Sequence, residues 1–387
     1  MKKLTSLLLA LMLVIGLIPA MAETDVETAV VTTTVTEIQK YGNMVLAVKG
    51  TELLNAGYAY GDLVTVTLLG QDLDMPIGSN YSDVDQGSMI LRVVVKEDLS
   101  EDYALIAINM GDLATTAGVA TKETIEDAPG YVWNLNEGVE EPVEVVITLK
   151  EAGAYYDRWV MNQLVRSENH EDYPDLSDEQ FANFRAVITT GMGAGRLYRS
   201  SSPVNPEIGR NTYADAAAAA AGVKTFVNLA DNDETMQGYE GFAESYYSQQ
   251  NIIGLNLGVD FAAADFAAGL AEGFRFIATH EGPYLVHCNE GKDRAGFTAA
   301  VLECLMGASA DEVVADYMVT YYNYYGVEPG TEQYDVIANA NIRKSLATAF
   351  GVEGIDGQDL AALAENYLLS IGMTAEEIAA LKLALGG

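Results

Sequence analysis

Two cysteines in 387 residues are too few to build a fold on disulfides. Nor can Cys288 and Cys304 pair with each other. A helix from Arg294 to Cys304 rises about 15 Å, whereas a disulfide needs Cα atoms within about 7 Å. Both are expected as free thiols, with Cys304 packed inside an apolar helix. Histidine is nearly as scarce, with 3 in the chain. His170 and His280 have no metal-ligand spacing with anything, so no metal site or other cofactor is expected. Basic residues are short as well: 21 Lys and Arg face 56 Asp and Glu, a net charge of −35. Such a surface repels nucleic acid and anionic lipid. With 9 prolines and 49% hydrophobic residues, the chain should fold throughout. Beyond the first 22 residues no apolar run reaches the roughly 20 residues of a membrane span.

Those first 22 residues differ from the rest. Lys2 and Lys3 precede an apolar run from Leu7 to Ile18, and Ala20-Met21-Ala22 supplies small residues. That order is the pattern of a secretory leader cleaved near Ala22. The expected product is exported, with no stable membrane insertion and a still more negative charge, since the leader holds two lysines and no acid.

The remaining length suggests two domains. Residues 26–150 are rich in β-branched runs, Val30–Thr36, Leu63–Leu69, Leu91–Val95 and Val143–Leu149, punctuated by Gly, Asn and Asp. A mostly-β domain is expected there. Residues 151–180, acidic and aromatic, are expected as a linker and a helix leading onward. From 181 to 387 the pattern alternates. Ala214–Ala221 is an alanine-rich helix ended by Gly222, Val223–Leu229 a buried strand, and Phe261–His280 a second helix. Ser309-Ala310-Asp311-Glu312 and Thr374-Ala375-Glu376-Glu377 are capping boxes. Strands alternating with helices imply an α/β layered domain.

The most informative stretch is His287-Cys288-Asn289-Glu290-Gly291-Lys292-Asp293-Arg294-Ala295-Gly296. The apolar run Tyr284-Leu285-Val286 precedes it, and Phe297–Met306 behind it has the composition of a buried helix. A loop entering a helix points backbone N–H groups inward and adds the positive end of the helix dipole. Such a cup suits a phosphate dianion. Cys288 would lie at its floor and Arg294 at its rim.

This Cys-x5-Arg loop resembles the signature of the protein-tyrosine-phosphatase superfamily, and its Gly-Lys-Asp-Arg form is similar to a bacterial, dual-specificity-like branch. Asn183-Phe184-Arg185, Gly195–Ser200, Gly222–Leu229 and Val313–Tyr317 resemble further blocks of that branch, so the likeness covers roughly residues 175–387. It implies an α/β cysteine-phosphatase fold, a central sheet flanked by helices, preceded here by the mostly-β domain. Tyr81-Ser82-Asp83-Val84 and Ala107–Ala114, within about residues 30–120, are similar to the β-barrel module of SAM-dependent hydroxide adenosyltransferases. Only the architecture is carried over from that second likeness, as a docking or carrier domain without chemistry.

Hydrolysis of a phosphate monoester through cysteine needs a thiolate, a cradle for the dianion, an acid for the leaving oxygen and a route to hydrolyse the intermediate. A helix amino terminus with nearby cations favours the thiolate. Arg294 can grip two phosphate oxygens with its planar fork. The amides of Asn289, Glu290, Gly291, Lys292, Asp293 and Arg294 would hold the equatorial oxygens. The resemblance implies that Lys292 admits phosphoinositides beside phosphotyrosine, and that Asp293 donates the proton. Asp231 and Asp260 are the alternative acids. His287 is expected to brace the loop, and Arg199 either frames the pocket or forms a structural ion pair. The family places Thr or Ser after the arginine, where this chain has Ala295. Loss of that hydroxyl bond to a charged sulfur, worth about 1.5–3 kcal/mol, should slow turnover.

The expected function is a secreted phosphatase acting on phosphotyrosine, with phosphoserine, phosphothreonine or phosphoinositide as further substrates. The partners implied are a phosphorylated protein or peptide, or a phosphoinositide. The alternatives are an inositol-polyphosphate (phytase-like) phosphatase, which the acidic surface disfavours, and a catalytically weak phosphate-binding module, which Ala295 suggests. Rhodanese-type sulfur transfer ranks last, because that chemistry needs no arginine at this spacing.

Overall fold

The β-branched runs of the amino-terminal half pair with one another into a closed sheet. A computed structural model describes residues 30–124 and 131–386, so the leader expected at 1–22 lies outside the described residues. The chain divides into two compact units, Met1–Asn162 and Gln163–Gly387.

In the first unit the strands are β1 (Val31–Ile38), β2 (Met44–Leu46), β3 (Leu63–Leu68), β4 (Gln71–Gly78), β5 (Met89–Val95), β6 (Asp102–Ile108), β7 (Ala120–Thr124), β8 (Tyr131–Leu135) and β9 (Glu144–Glu151). Seven of them close a barrel in the order β1-β2-β6-β5-β4-β3-β9, while β7 and β8 form a separate hairpin. The period-2 pattern gives these strands one face for the barrel's core. Val64, Val66 and Leu68 of β3 are buried, Thr65 and Thr67 less so, and β9 adds Val145 and Ile147 to the same core. Within the Tyr81–Val84 block, Tyr81–Asp83 form one short helical turn, and Asp83 Oδ2 accepts from the amides of Ser79 (2.7 Å) and Asn80 (2.9 Å).

The linker expected over 151–180 is instead divided between the units. Helix Tyr156–Asn162 belongs to the first, where Trp159 stacks on Tyr60 at 5.0 Å. From Gln163 onward the chain belongs to the second, where the Tyr173 hydroxyl donates to Tyr324 O (3.1 Å) and Ser177 caps the short helix Asp178–Phe181.

The second unit carries strands β10 (Arg185–Ala186), β11 (Leu197–Ser200), β12 (Thr225–Asn228), β13 (Asn251–Gly254) and β14 (Tyr284–His287), in the order β10-β11-β14-β12-β13. All neighbours are parallel except the β10 edge. The register aligns Ser200, His287, Asn228 and Gly254 across the sheet. The loops after four parallel strands therefore leave from one edge, where open α/β sheets bind ligands. The helices flanking the sheet include α1 (Asn211–Ala220), α2 (Ala264–Thr279), α3 (Asp293–Met306), α4 (Ala310–Tyr325), α5 (Leu360–Ser370) and α6 (Ala375–Gly386). Residues Ala295 to Leu305 of α3 are all buried, as a helix apolar on every side requires, and α5 covers it. Gly222 ends the alanine-rich turn region after α1 with φ +65°. Phe261 precedes α2 and stacks on Phe297 at 4.5 Å. The Ser309 and Thr374 capping boxes form as expected. Cys288 and Cys304 are free and buried, and burial pushes the Cys304 thiol up to about 12. No helix of the described residues is long and apolar enough to cross a membrane.

Candidate active site

The central strand β14 ends at His287, and Cys288 opens the loop that becomes α3, buried with 3% exposure. The carbonyls of the next four residues all bond away from the loop's centre. Asn289 O accepts from Ser202 N (2.9 Å). Glu290 O accepts from the Tyr324 hydroxyl (2.8 Å) and Asn183 Nδ2 (3.1 Å). Gly291 O accepts from Arg199 Nη2 (2.9 Å), and Lys292 O from Gly296 N (3.0 Å). No amide of residues 289–294 donates to a protein acceptor among the described residues. The peptide planes thus turn their N–H groups into the loop, an anion-binding nest at a helix start. Gly291 permits the turn: its φ is +69°, and a Cβ there would sit 2.2 Å from Ser200 O.

Behind the loop lies a buried charge cluster. Arg199, with no exposed surface, pairs with Asp316 (2.8 Å), which also receives Arg185 Nε (3.0 Å). Burial works to raise the Asp316 carboxyl, but the two guanidiniums outweigh it and hold it below the usual carboxylate range. Glu303, buried in α3 in the same cluster, is pushed well above the usual glutamate value by burial and then by Asp316. Arg199 is therefore a brace on the loop's outer side, and the pocket-framing role is corrected: with no exposed surface, it spends Nη1 on Asp316 and Nη2 on two loop carbonyls. His287 likewise stays behind the loop. It is fully buried, with Nδ1 3.3 Å from Cys288 O and Nε2 3.1 Å from the Tyr247 hydroxyl. Burial lowers its pKa to about 4, so the ring is neutral near pH 7. It cannot serve as a cationic substrate ligand.

The rim is charged. Arg294 Nη1 donates to Leu257 O (2.9 Å), which fixes the guanidinium plane. Lys292 Nζ lies 3.0 Å from Glu290 Oε2 and 3.2 Å from the Tyr325 hydroxyl. Arg166 Nη1 reaches Glu290 Oε1 at 2.8 Å. Asp293 is the first residue of α3, with 47% of its side chain exposed. Partial burial of its carboxyl raises its pKa, Lys292 opposes this, and Glu290 adds to it. The other two carboxylates are placed differently. Asp231 is buried in the turn after β12, its oxygens accepting from the Tyr239 hydroxyl (2.8 Å) and Asn228 Nδ2 (3.1 Å). Asp260 is exposed and bonds Ala262 N (3.0 Å). Among the described residues no cluster of three or more His, Cys, Asp or Glu could hold a metal ion.

Residues 179–385, just over half of the chain, match the sequence model of the tyrosine phosphatase family. The chain belongs to that family. A tyrosine-protein phosphatase of Nostoc commune is 28% identical over 254 residues, covering 57% of this chain and 85% of that protein. Among crystal structures, TpbA of P. aeruginosa in complex with pTyr matches at 17% identity, 49% of this chain, 96% of that chain and a TM-score of 0.29. The core catalytic domain of the PP-IP phosphatase SIW14 of S. cerevisiae in complex with citrate matches at 18%, 43%, 91% and 0.27. Family membership rests on the sequence match, to which overlaps this loose add nothing.

As a tyrosine phosphatase family member the chain is a phosphoric monoester hydrolase. The matched block Asn183-Phe184-Arg185 acquires a physical reason. Asn183, at φ +53°, donates to Glu290 O and accepts from Arg185 Nη1 (2.8 Å), linking edge strand to loop. Tyr324, Tyr325 and Arg166 were not legible as site residues. Tyr324 and Tyr325 sit among the core tyrosines of α4, and Arg166 falls in a stretch whose composition suggests only a connection.

Proposed function

We propose that this enzyme hydrolyses phosphotyrosine through a phosphocysteine intermediate. The observation that carries the reading is the ring of inward amides above Cys288, with Arg294 fixed at its rim. In the first step Cys288 Sγ, as thiolate, bonds to phosphorus while the bond to the tyrosyl oxygen breaks, and Asp293 protonates that oxygen. In the second step water attacks phosphorus, its proton passes to the Asp293 carboxylate, and the S–P bond breaks to release orthophosphate. Amides and guanidinium stabilise the equatorial oxygens in both transition states, where electrostatic preorganisation matters most. Phosphoserine, phosphothreonine and phosphoinositide belong to the same proposal as further substrates. Residues 1–22 support export, so the mature protein should be found in the medium with an amino terminus near Glu23. The barrel unit is given a docking or carrier role; release of an inactive Gln163–Gly387 fragment by limited proteolysis would count against that division.

The deciding experiment measures orthophosphate release from a phosphotyrosine peptide by leaderless protein under reductant. Cys288→Ser should reduce the rate by at least about a thousandfold while a phosphate analogue still binds. Absence of release even from activated aryl phosphates would reject the reading. A second reading, a phosphate-binding module with little turnover, is favoured by Ala295, which is fully buried and offers no hydroxyl. One burst equivalent of phenol without further turnover would support it.

A further inference from the structure

We infer that the Glu290 side chain makes this site selective for substrates bearing a single phosphate monoester, by neutralising the two cations that would otherwise receive a second dianion. The inference rests on the loop binding phosphate esters as proposed above. The anion cradle uses only the backbone of Glu290, whose carbonyl is held by Tyr324 and Asn183. Its carboxylate does something separate. One oxygen pairs with Arg166 (2.8 Å) and the other with Lys292 (3.0 Å). Lys292 is further held by the Tyr325 hydroxyl, and Arg166 Nε by Glu168 (2.7 Å). Side-chain exposures of 26%, 20% and 16% for Glu290, Arg166 and Lys292 place the three where solvent screens weakly.

Of the cations beside the loop, only Arg294 is left without an acid partner among the described residues. A monoester dianion in the cup needs nothing more. A second phosphate dianion on the same molecule would meet the Glu290 carboxylate, the one acid shared by Lys292 and Arg166, while Asp293, 3.9 Å from Lys292, and Glu168, 2.7 Å from Arg166, stay in place. Specificity is a difference of affinities, and an unfavourable charge contact discriminates as well as a favourable one. The chain's net charge of −35 acts in the same direction at long range.

Binding to Cys288→Ser protein, measured by calorimetry, tests this without requiring turnover. The two probes are O-phosphotyrosine and inositol hexakisphosphate. Adding Glu290→Gln should raise the affinity ratio of hexakisphosphate over phosphotyrosine by about tenfold to a hundredfold, the effect of one released charge-assisted contact. The gain should shrink at high salt and disappear when Lys292→Met is also present, whereas Glu290→Asp should retain the parent ratio. An unchanged or lower ratio in Glu290→Gln, with phosphotyrosine still bound, overturns the inference. If neither probe binds the Cys288→Ser parent, cup and inference fall together. If phosphotyrosine binds but the Cys288 protein never turns it over, the phosphatase reading fails and this inference stands.

Discussion

Arg199→Met removes the brace while keeping most of the side chain's volume, and so tests whether the loop's shape is imposed from behind. Arg199 has no exposed surface, pairs with Asp316 at 2.8 Å and donates to Gly291 O at 2.9 Å. Breaking a buried ion pair costs about 3–5 kcal/mol. Arg185 still contacts Asp316 at 3.0 Å, so the lower end applies. A loss of about 3 kcal/mol shifts the folding equilibrium on the order of a hundredfold and lowers Tm by about 6–12 °C for a unit of this size. Because Gly291 O and Lys292 O lose a charged donor, kcat on an aryl phosphate should also fall, on the order of a hundredfold. The pH dependence has a definite sign. Asp316 is held below its ordinary value in the folded protein, so its stabilisation is complete above the unfolded value near about 4 and vanishes as pH falls through the folded one. The Tm gap between parent and variant should therefore narrow in acid. Calorimetry from neutral pH downward, with kcat measured in parallel, decides the matter. A variant that melts within about 2 °C of the parent at neutral pH and keeps its kcat would refute the reasoning.

In the first step, read as the single-turnover release of phenol, Asp293→Asn should slow esters with poor leaving groups by about 10²–10⁴-fold and barely affect a nitrophenyl ester. The raised pKa keeps Asp293 protonated to higher pH, so the parent's rate on poor leaving groups falls as pH rises through that value, and the Asn variant loses this limb; equal losses on both ester classes would remove Asp293 as the acid. Ala295→Thr should abolish a burst by speeding the second step about tenfold or more; stopped-flow traces identical to the parent's would contradict this. Gly291→Ala forces a Cβ to 2.2 Å from Ser200 O at φ +69°, so vanadate binding should be lost, and retained affinity would mean that the loop is not the anion site.

Much of the catalytic unit could be read along the chain because the signals are local. A strand of four buried residues, a glycine-containing loop and an apolar helix occur in order from Tyr284 to Met306. The Ser309 and Thr374 boxes depend on residues three apart. What could not be read depends on residues distant in sequence. Asn183 meets Glu290, Arg199 meets Asp316, and Arg166 meets Glu290 across separations that no local pattern encodes.

The one-dimensional pattern by itself determined the α/β class, the β-rich first unit and the Cys288-to-Arg294 loop, because periodicity, turn chemistry and helix starts are properties of neighbours in the chain. Tertiary packing alone decided the barrel's closure, the burial of Arg199 and His287 behind the loop, and the pairing of Arg166 with Glu290. A charged side chain's role follows from which partner desolvates it, and that partner is chosen by the fold.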